Sequence, residues 1–246
     1  MSHIIILAGG KGSRMQSNTH KVLHEVKGVP IISRLLQNIS PICSTPTIII
    51  GHKADEVREA THYAYSYVEQ KEQRGTGHAV MCAREALKDK PDETIIILPG
   101  DHPLIEARTL WQLQSLHTLH NATVTLATKI VPHFEGIHSI FKHYGRVIRN
   151  KDGMVLKIVE YKDASAEERE CLEVNLSYYC FNAQWLWQHI TALSSHNAAS
   201  EYYLTDMVKI ATDQGLRVAA YPIQQMAECL GINTPEQLLM VEEALV

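Results

Sequence analysis

The feature that most constrains this chain is a recurrence of short, β-branched apolar runs separated by amphipathic stretches. The runs fall at Ile4–Leu7, Thr47–Ile50, Tyr65–Glu69, Thr94–Leu98 and Val124–Ile130. Between them, Ile31–Ile39, Glu56–Ala64, His78–Leu87 and Leu104–Leu119 carry apolar residues at helical spacing. A strand that is apolar at nearly every position has no polar face to turn to water, so both its faces must be covered. Intervening helices supply that cover, and the long crossovers that parallel pairing requires. The expected fold class is therefore α/β: a Rossmann-like, mostly parallel sheet with helices on both faces. In such sheets ligands bind beyond the carboxyl ends of the strands, which singles out the loops after Leu7 and Leu98.

Past Ile130 the rhythm changes. Tyr144–Arg149 and Val155–Tyr161 flank Asn150-Lys-Asp-Gly153, a hairpin turn signal. A polar helical stretch, Ala164–Glu170, precedes a strand-like run at Val174–Phe181. Thr234-Pro-Glu-Gln237 gives a last helix an N-cap, a first-turn proline and a capping-box glutamine. The expected organisation is a single domain over residues 1–246. A larger lobe takes in about 1–130 with 205–246, and a smaller antiparallel lobe about 131–204.

A net charge of −4 leaves no general basic face for nucleic acid or an anionic membrane. No apolar run is long enough to span a bilayer. The opening MSHIIILAGG lacks a basic segment and ends in Gly-Gly, so it reads as a buried strand rather than a leader. Five scattered cysteines (Cys43, Cys82, Cys171, Cys180 and Cys229) include no C-x-x-C, which fits free thiols in a reducing cytoplasm.

Any cationic site must then be local, and residues 7–23, LAGGKGSRMQSNTHKVL, contain one. The loop matches neither the P-loop nor the dinucleotide fingerprint: the lysine precedes the second glycine, and Met15 stands where a third glycine is wanted. Gly9, Gly10 and Gly12 still let backbone N–H groups converge on an anion. Arg14 can fork onto phosphate oxygens, while Lys11 and Lys21 add point charges. On these residues alone, the loop serves equally as a phosphate cradle or as a tight strand-to-helix turn with solvated lysines.

The stretch resembles the signature L-A-[AG]-G-x-G-[ST]-R-M…P-K-x-L of sugar-phosphate nucleotidyltransferases. EQRGTGHAV (72–80), PGDHPLI (99–105), YGRVIR (144–149), IVEYKDASAEER (158–169), EYYLTDMV (201–208) and GIN (231–233) follow in order. Together they resemble the uridyltransferase domain of the bifunctional N-acetylglucosamine-1-phosphate uridyltransferase/glucosamine-1-phosphate acetyltransferase (GlmU) family, over nearly the whole chain. The resemblance implies a nucleotide-diphospho-sugar transferase fold, with a nucleotide-binding larger lobe and a sugar-binding smaller one. It implies uridylyl transfer from UTP to a sugar 1-phosphate, N-acetylglucosamine 1-phosphate first, with Mg²⁺ as cofactor. It assigns Leu7, Ala8, Gly9, Gly10, Lys11, Gln70, Gly75, Thr76 and Gly100 to the nucleotide, and Lys21 and Arg14 to catalysis. Gly145, Glu160 and Asn175 fall to the sugar, and Asp101 and Asn233 to the metal. No counterpart of the family's acetyltransferase β-helix is expected in these residues, hence no acetyltransferase activity, no trimer built on that helix, and no obligate protein partner.

Several of these residues have plainer readings. GTGHA is also a helix start with Thr76 as N-cap; Asp101 is also a turn residue; Glu160 is also a surface strand residue paired with Lys162. His117 and His120 are expected at the surface, and no zinc site is expected among the histidines. The chain also departs from the family pattern. Gly9 replaces an alanine, His20 stands where proline precedes the lysine, and Pro99 replaces a tyrosine. Asn175-Leu-Ser177 replaces N-[TS]-G, and the segment 131–143 is longer. Rival readings are a molybdopterin-type guanylyltransferase, which would want G-x-D-K where Thr19-His20-Lys21 stands, another hexose 1-phosphate as acceptor, and a non-catalytic nucleotide-sugar-binding protein.

Overall fold

The computed structural model describes residues 2–89 and 94–245. Strand β1 (Ser2–Leu7) is followed by a two-stranded ladder, β2 (Glu25–Val26) and β3 (Val29–Pro30), and by helix α1 (Ile31–Ile39). Then come β4 (Thr47–Ile50), α2 (Ala54–Ala60), β5 (Ser66–Glu69), α3 (Thr76–Leu87), β6 (Thr94–Pro99), α4 (Ala107–Leu119) and β7 (Val124–Ile130). The second half holds β8 (Arg146–Arg149), β9 (Val155–Val159), α5 (Ala166–Arg169), β10 (Glu173–Asn182), α6 (Ala183–His189), α7 (Asp206–Asp213), β11 (Val218–Pro222) and α8 (Pro235–Glu243).

The main sheet runs β11-β7-β10-β6-β1-β4-β5, and the β8–β9 hairpin is attached through β10. Its continuous apolar runs divide by the two-residue period of a strand. Ile4 and Ile6 of β1, Ile48 and Ile50 of β4, and Ile96 and Leu98 of β6 enter one core cluster, beside α1 and α4. Ile5, Ile49, Ile95 and Ile97 enter the cluster on the opposite face, beside α3, α6 and α7. Each strand is therefore apolar throughout because alternate residues serve different cores.

Four parallel strands, β6, β1, β4 and β5, form the block expected from the first half. The expectation for Val174–Phe181 changes. This run lies not in a separate antiparallel element but in the middle of the main sheet, antiparallel to both β6 and β7. Tyr179 and Phe181 of β10 join one core, while Val174, Leu176, Tyr178 and Cys180 join the other, so it is a two-faced buried strand like its neighbours. Sequence reading missed β11, whose Val-Ala-Ala-Tyr-Pro is half-buried and edges the sheet beyond β7.

The turn at Asn150–Gly153 forms as expected, with Gly153 at φ 78° and the Asn150 side chain accepting from the N–H groups of Asp152 and Met154. Helix α4 starts three residues later than its apolar pattern, because Leu104 and Ile105 are buried as loop and Glu106 is extended. His117 is not at the surface: it is 5 % exposed and its Nδ1 pairs with Thr125 Oγ1 at 2.9 Å. Burial holds this imidazole down to about 4. Among the described residues no helix is long and apolar enough to cross a membrane.

Candidate active site

The chain's connections diverge at β1, whose neighbours are β4 on one side and β6 on the other. Leu7 and Pro99, the last residues of β1 and β6, lie in register, so both following loops open at one crevice. This is the switch point at which an open α/β sheet takes its ligand. A cavity of about 700 Å³ lies there. Of the residues singled out from the sequence, Leu7, Ala8, Gly9, Gly10, Lys11, Arg14, Lys21, Gln70, Gly75, Thr76, Asp101, Gly145, Glu160, Asn175 and Asn233 all line it. Gly100 does not. Its N–H donates to Leu7 O at 2.9 Å, and an added Cβ would meet that same oxygen at 2.9 Å, so it joins the two strand ends from behind the wall.

The first loop is shaped by contacts that only glycine permits. Gly12 has φ 60°, and a Cβ there would come within 2.7 Å of Lys21 Cβ. After it, Ser13–Met15 make a 3₁₀ turn in which Met15 is buried against Ile232 and Val241. That anchor brings the loop to the residues before α8, and Arg14 Nη2 donates to Asn233 Oδ1 at 2.8 Å. Asn233 is itself held: its N–H donates to Gln237 Oε1 at 2.6 Å, while Thr234 Oγ1 accepts from Gln237 N. The N-cap predicted for α8 forms, with the glutamine reaching one residue further back than a capping box requires.

Lys21 begins a second 3₁₀ turn, and its Nζ donates to Asp101 Oδ2 at 2.5 Å and to Asn233 Oδ1 at 3.1 Å. Burial by itself would raise the Asp101 carboxyl. The charges of Lys21 and His102 outweigh it, and the group is held below its usual value. His102, also buried, is pushed down to about 4. A carboxylate oxygen and an amide oxygen thus converge on one point that already accommodates a cationic nitrogen. Hard oxygen donors in this arrangement suit Mg²⁺, which takes one or two protein oxygens and fills its shell from phosphates and water.

Elsewhere on the cavity wall, Gly75 adopts φ 102°, and a Cβ there would lie 2.6 Å from Tyr202 O. Thr76 is not the N-cap of α3. Gly75 holds that position, and Thr76 is the first helical residue, its Oγ1 accepting from Leu204 N at 3.1 Å. Glu160 is not a surface partner of Lys162. Thr205 Oγ1 donates to it at 3.1 Å, and burial with Asp206, Asp163 and Glu201 nearby pushes its carboxyl up.

The wall at Asn175–Ser177 is a break in the β10–β7 register. Ser177 takes φ 63°, a left-handed conformation that explains why a glycine suits this place in the family pattern. Asn175 Oδ1 accepts from Ser177 N at 3.1 Å. Leu176, where the family pattern has Thr or Ser, touches the cavity but is 1 % exposed and packed into the core.

Sequence reading assigned no role to Gln73, His143, Tyr144, Glu201 and Thr205, which also line the cavity. The segment EYYLTDMV carried a signal for the last two, and the extra length of 131–143 one for His143. Tyr144 opens the YGRVIR motif, from which only Gly145 was given a role.

Relatives extend this picture. Bifunctional GlmU of Acetivibrio thermocellus is 39 % identical over 235 residues, spanning 95 % of this chain and 49 % of that protein. The same protein of Clostridioides difficile is 40 % identical over 242 residues, 98 % of this chain and 51 % of its own length. The chain therefore spans about half the length of the curated relatives it matches. In fold it resembles the crystal structure of a UDP-glucose pyrophosphorylase complexed with UDP-glucose, at TM-score 0.74 and 16 % identity, covering 100 % of this chain and 98 % of that one. The sequence profile of the MobA-like NTP transferase domain matches residues 4–203, and the chain belongs to that family.

Proposed function

We propose that this chain transfers a uridylyl group from UTP to a sugar 1-phosphate, N-acetylglucosamine 1-phosphate foremost, releasing pyrophosphate. The observation that carries the reading is one continuous cavity bounded by the Gly9–Arg14 loop, by Lys21 with Asp101 and Asn233, and by Gly145, Glu160 and Asn175. Similarity to the bifunctional GlmU proteins supports the choice of nucleotide and sugar.

In this reading the glycine-rich loop, Lys11 and Arg14 hold the triphosphate, and Gln70, Gly75 and Thr76 face the base. Gly145, Glu160 and Asn175 hold the sugar, Glu160 as an acceptor for hydroxyls. Residues 1–130 with 205–246 would serve the nucleotide, and 131–204 the sugar. The acceptor is a phosphate monoester, already largely dianionic near neutral pH, so its oxygen attacks the α-phosphorus without a general base. Catalysis reduces to bringing two anions into line and stabilising charge on the group in transfer. Lys21 does this by exchanging Asp101 and Asn233 for phosphate oxygens. Asp101 and Asn233 would hold Mg²⁺, which when bound neutralises phosphate charge.

Pyrophosphate release should be measured with UTP, GTP and CTP against a panel of sugar 1-phosphates. UTP with N-acetylglucosamine 1-phosphate is expected to give the highest kcat/KM. Release that needs GTP, or none with any sugar 1-phosphate, would overturn the reading.

A further inference from the structure

We propose that His78, which does not itself line the cavity, sets base selectivity by holding the Gln70 amide in one of its two orientations. The proposal rests on the reading above only in that Gln70 faces the base.

Gln70 follows β5, is 4 % exposed and reaches the cavity wall. Its Nε2 lies 3.0 Å from Gly75 O and 3.1 Å from His78 Nδ1. A carbonyl oxygen only accepts, so the amide atom facing it is the NH₂. An amide nitrogen only donates, so His78 Nδ1 carries a lone pair and the imidazole hydrogen sits on Nε2. Both hydrogens of the amide are thereby used. Oε1 is left, and it lies beside Gly9, where an added Cβ would come within 3.2 Å of it. Gln70 therefore offers a base an acceptor and no donor.

An acceptor in that place pairs with the ring N–H of uracil. Cytosine carries a lone pair on the same ring nitrogen and reaches the oxygen with its amino group only in a shifted pose. Turning the amide over would set Oε1 against Gly75 O, would require His78 to carry its proton on Nδ1 instead of Nε2, and would present NH₂ to the base. His78 stands in the first turn of α3, its ring 6.2 Å from that of Tyr202. The backbone of Tyr202 in turn pairs with Gly77 N and Arg74 O, each at 2.8 Å. His78 is thus a positioning residue, and Gln70 is the group that touches the ligand.

His78→Leu removes one of the two acceptors. His78→Asn keeps an acceptor oxygen where Nδ1 stood. Dissociation constants of UTP and CTP are measured by calorimetry for all three proteins, and exchange of the Gln70 side-chain amide protons is followed by NMR without nucleotide. The parent should prefer UTP. In His78→Leu the preference should fall about 3- to 10-fold, as expected for losing one hydrogen bond from a buried pair, and the Gln70 protons should exchange faster. His78→Asn should behave as the parent. An unchanged preference in His78→Leu, or equal losses in both variants, overturns the proposal alone. A parent with no preference for UTP over CTP overturns both the proposal and the uridylyl reading.

Discussion

Replacing Lys21 by methionine keeps most of the side-chain volume and removes the charge that Asp101 depends on. The pair is largely shielded, with side chains 17 % and 11 % exposed. Breaking a buried ion pair from one side costs roughly 3–5 kcal/mol, since the remaining charge stays buried without its partner. Residual solvent access at Asp101 places this case at the lower end, about 3 kcal/mol. In a chain of this size that is a fall in Tm of roughly 6–12 °C. The sign of the pH dependence follows from Asp101. Its carboxyl is lowered in the folded protein from a reference of 3.8, so its contribution is present above that value and is lost as pH falls through the folded pKa. The gap in Tm between parent and Lys21→Met should therefore be full at pH 7 and shrink below pH 4. Adding Asp101→Asn should restore most of the loss, because neither side then carries a charge. Thermal unfolding followed by circular dichroism at both pH values reads all of this. Equal stability of Lys21→Met and parent at pH 7 would refute the reasoning. In turnover, the same variant should lose on the order of 100-fold or more in kcat with a smaller change in KM for UTP.

Glu160→Gln should raise Tm at pH 7 and not at pH 4: the raised carboxyl is neutral in acid and is penalised only when ionised. A constant Tm difference across that range would count against it, and sugar binding should weaken in the same variant. Ser177→Gly should relieve the left-handed strain at φ 63°, worth about 1–2 kcal/mol, against roughly 0.5–1 kcal/mol of added chain entropy. Unfolding in urea should show equal or slightly higher stability, and a clear loss would contradict the strain argument. Asp101→Ala should abolish most Mg²⁺-dependent turnover and also weaken Mn²⁺ binding measured by paramagnetic resonance. Unaltered Mn²⁺ affinity would remove Asp101 from the metal site.

The parallel block was legible because Ile4–Leu7, Thr47–Ile50 and Thr94–Leu98 are apolar at consecutive positions, a pattern that requires two cores. The place of Val174–Phe181 was not: periodicity reports that a strand is buried and says nothing of which strands flank it. β11 escaped because an edge strand with two alanines needs little apolar surface. His117 escaped because a helix face is read from its apolar residues, and Thr125 gives this imidazole a partner inside the core. In the site, glycines and charges marked the loop after β1, while the link between Asp101 and Asn233 through Lys21 joins residues more than a hundred positions apart and has no local signature.

The central position of β10 has a consequence for how the chain is made. β6 leaves the ribosome with one side paired to β1 and an Ile-Ile-Ile-Leu edge on the other, and that edge has no partner until residues 173–182 have been synthesised. β7 is worse placed, since both of its neighbours, β10 and β11, come later in sequence. A nascent chain that ends anywhere between residues 130 and 173 therefore carries one open apolar edge on β6 and a wholly unpaired β7 at once, the condition under which edge-to-edge association competes with folding. Slow translation over that interval, or a stop within it, should send this protein to chaperones or aggregates, even though its completed sheet buries both strands.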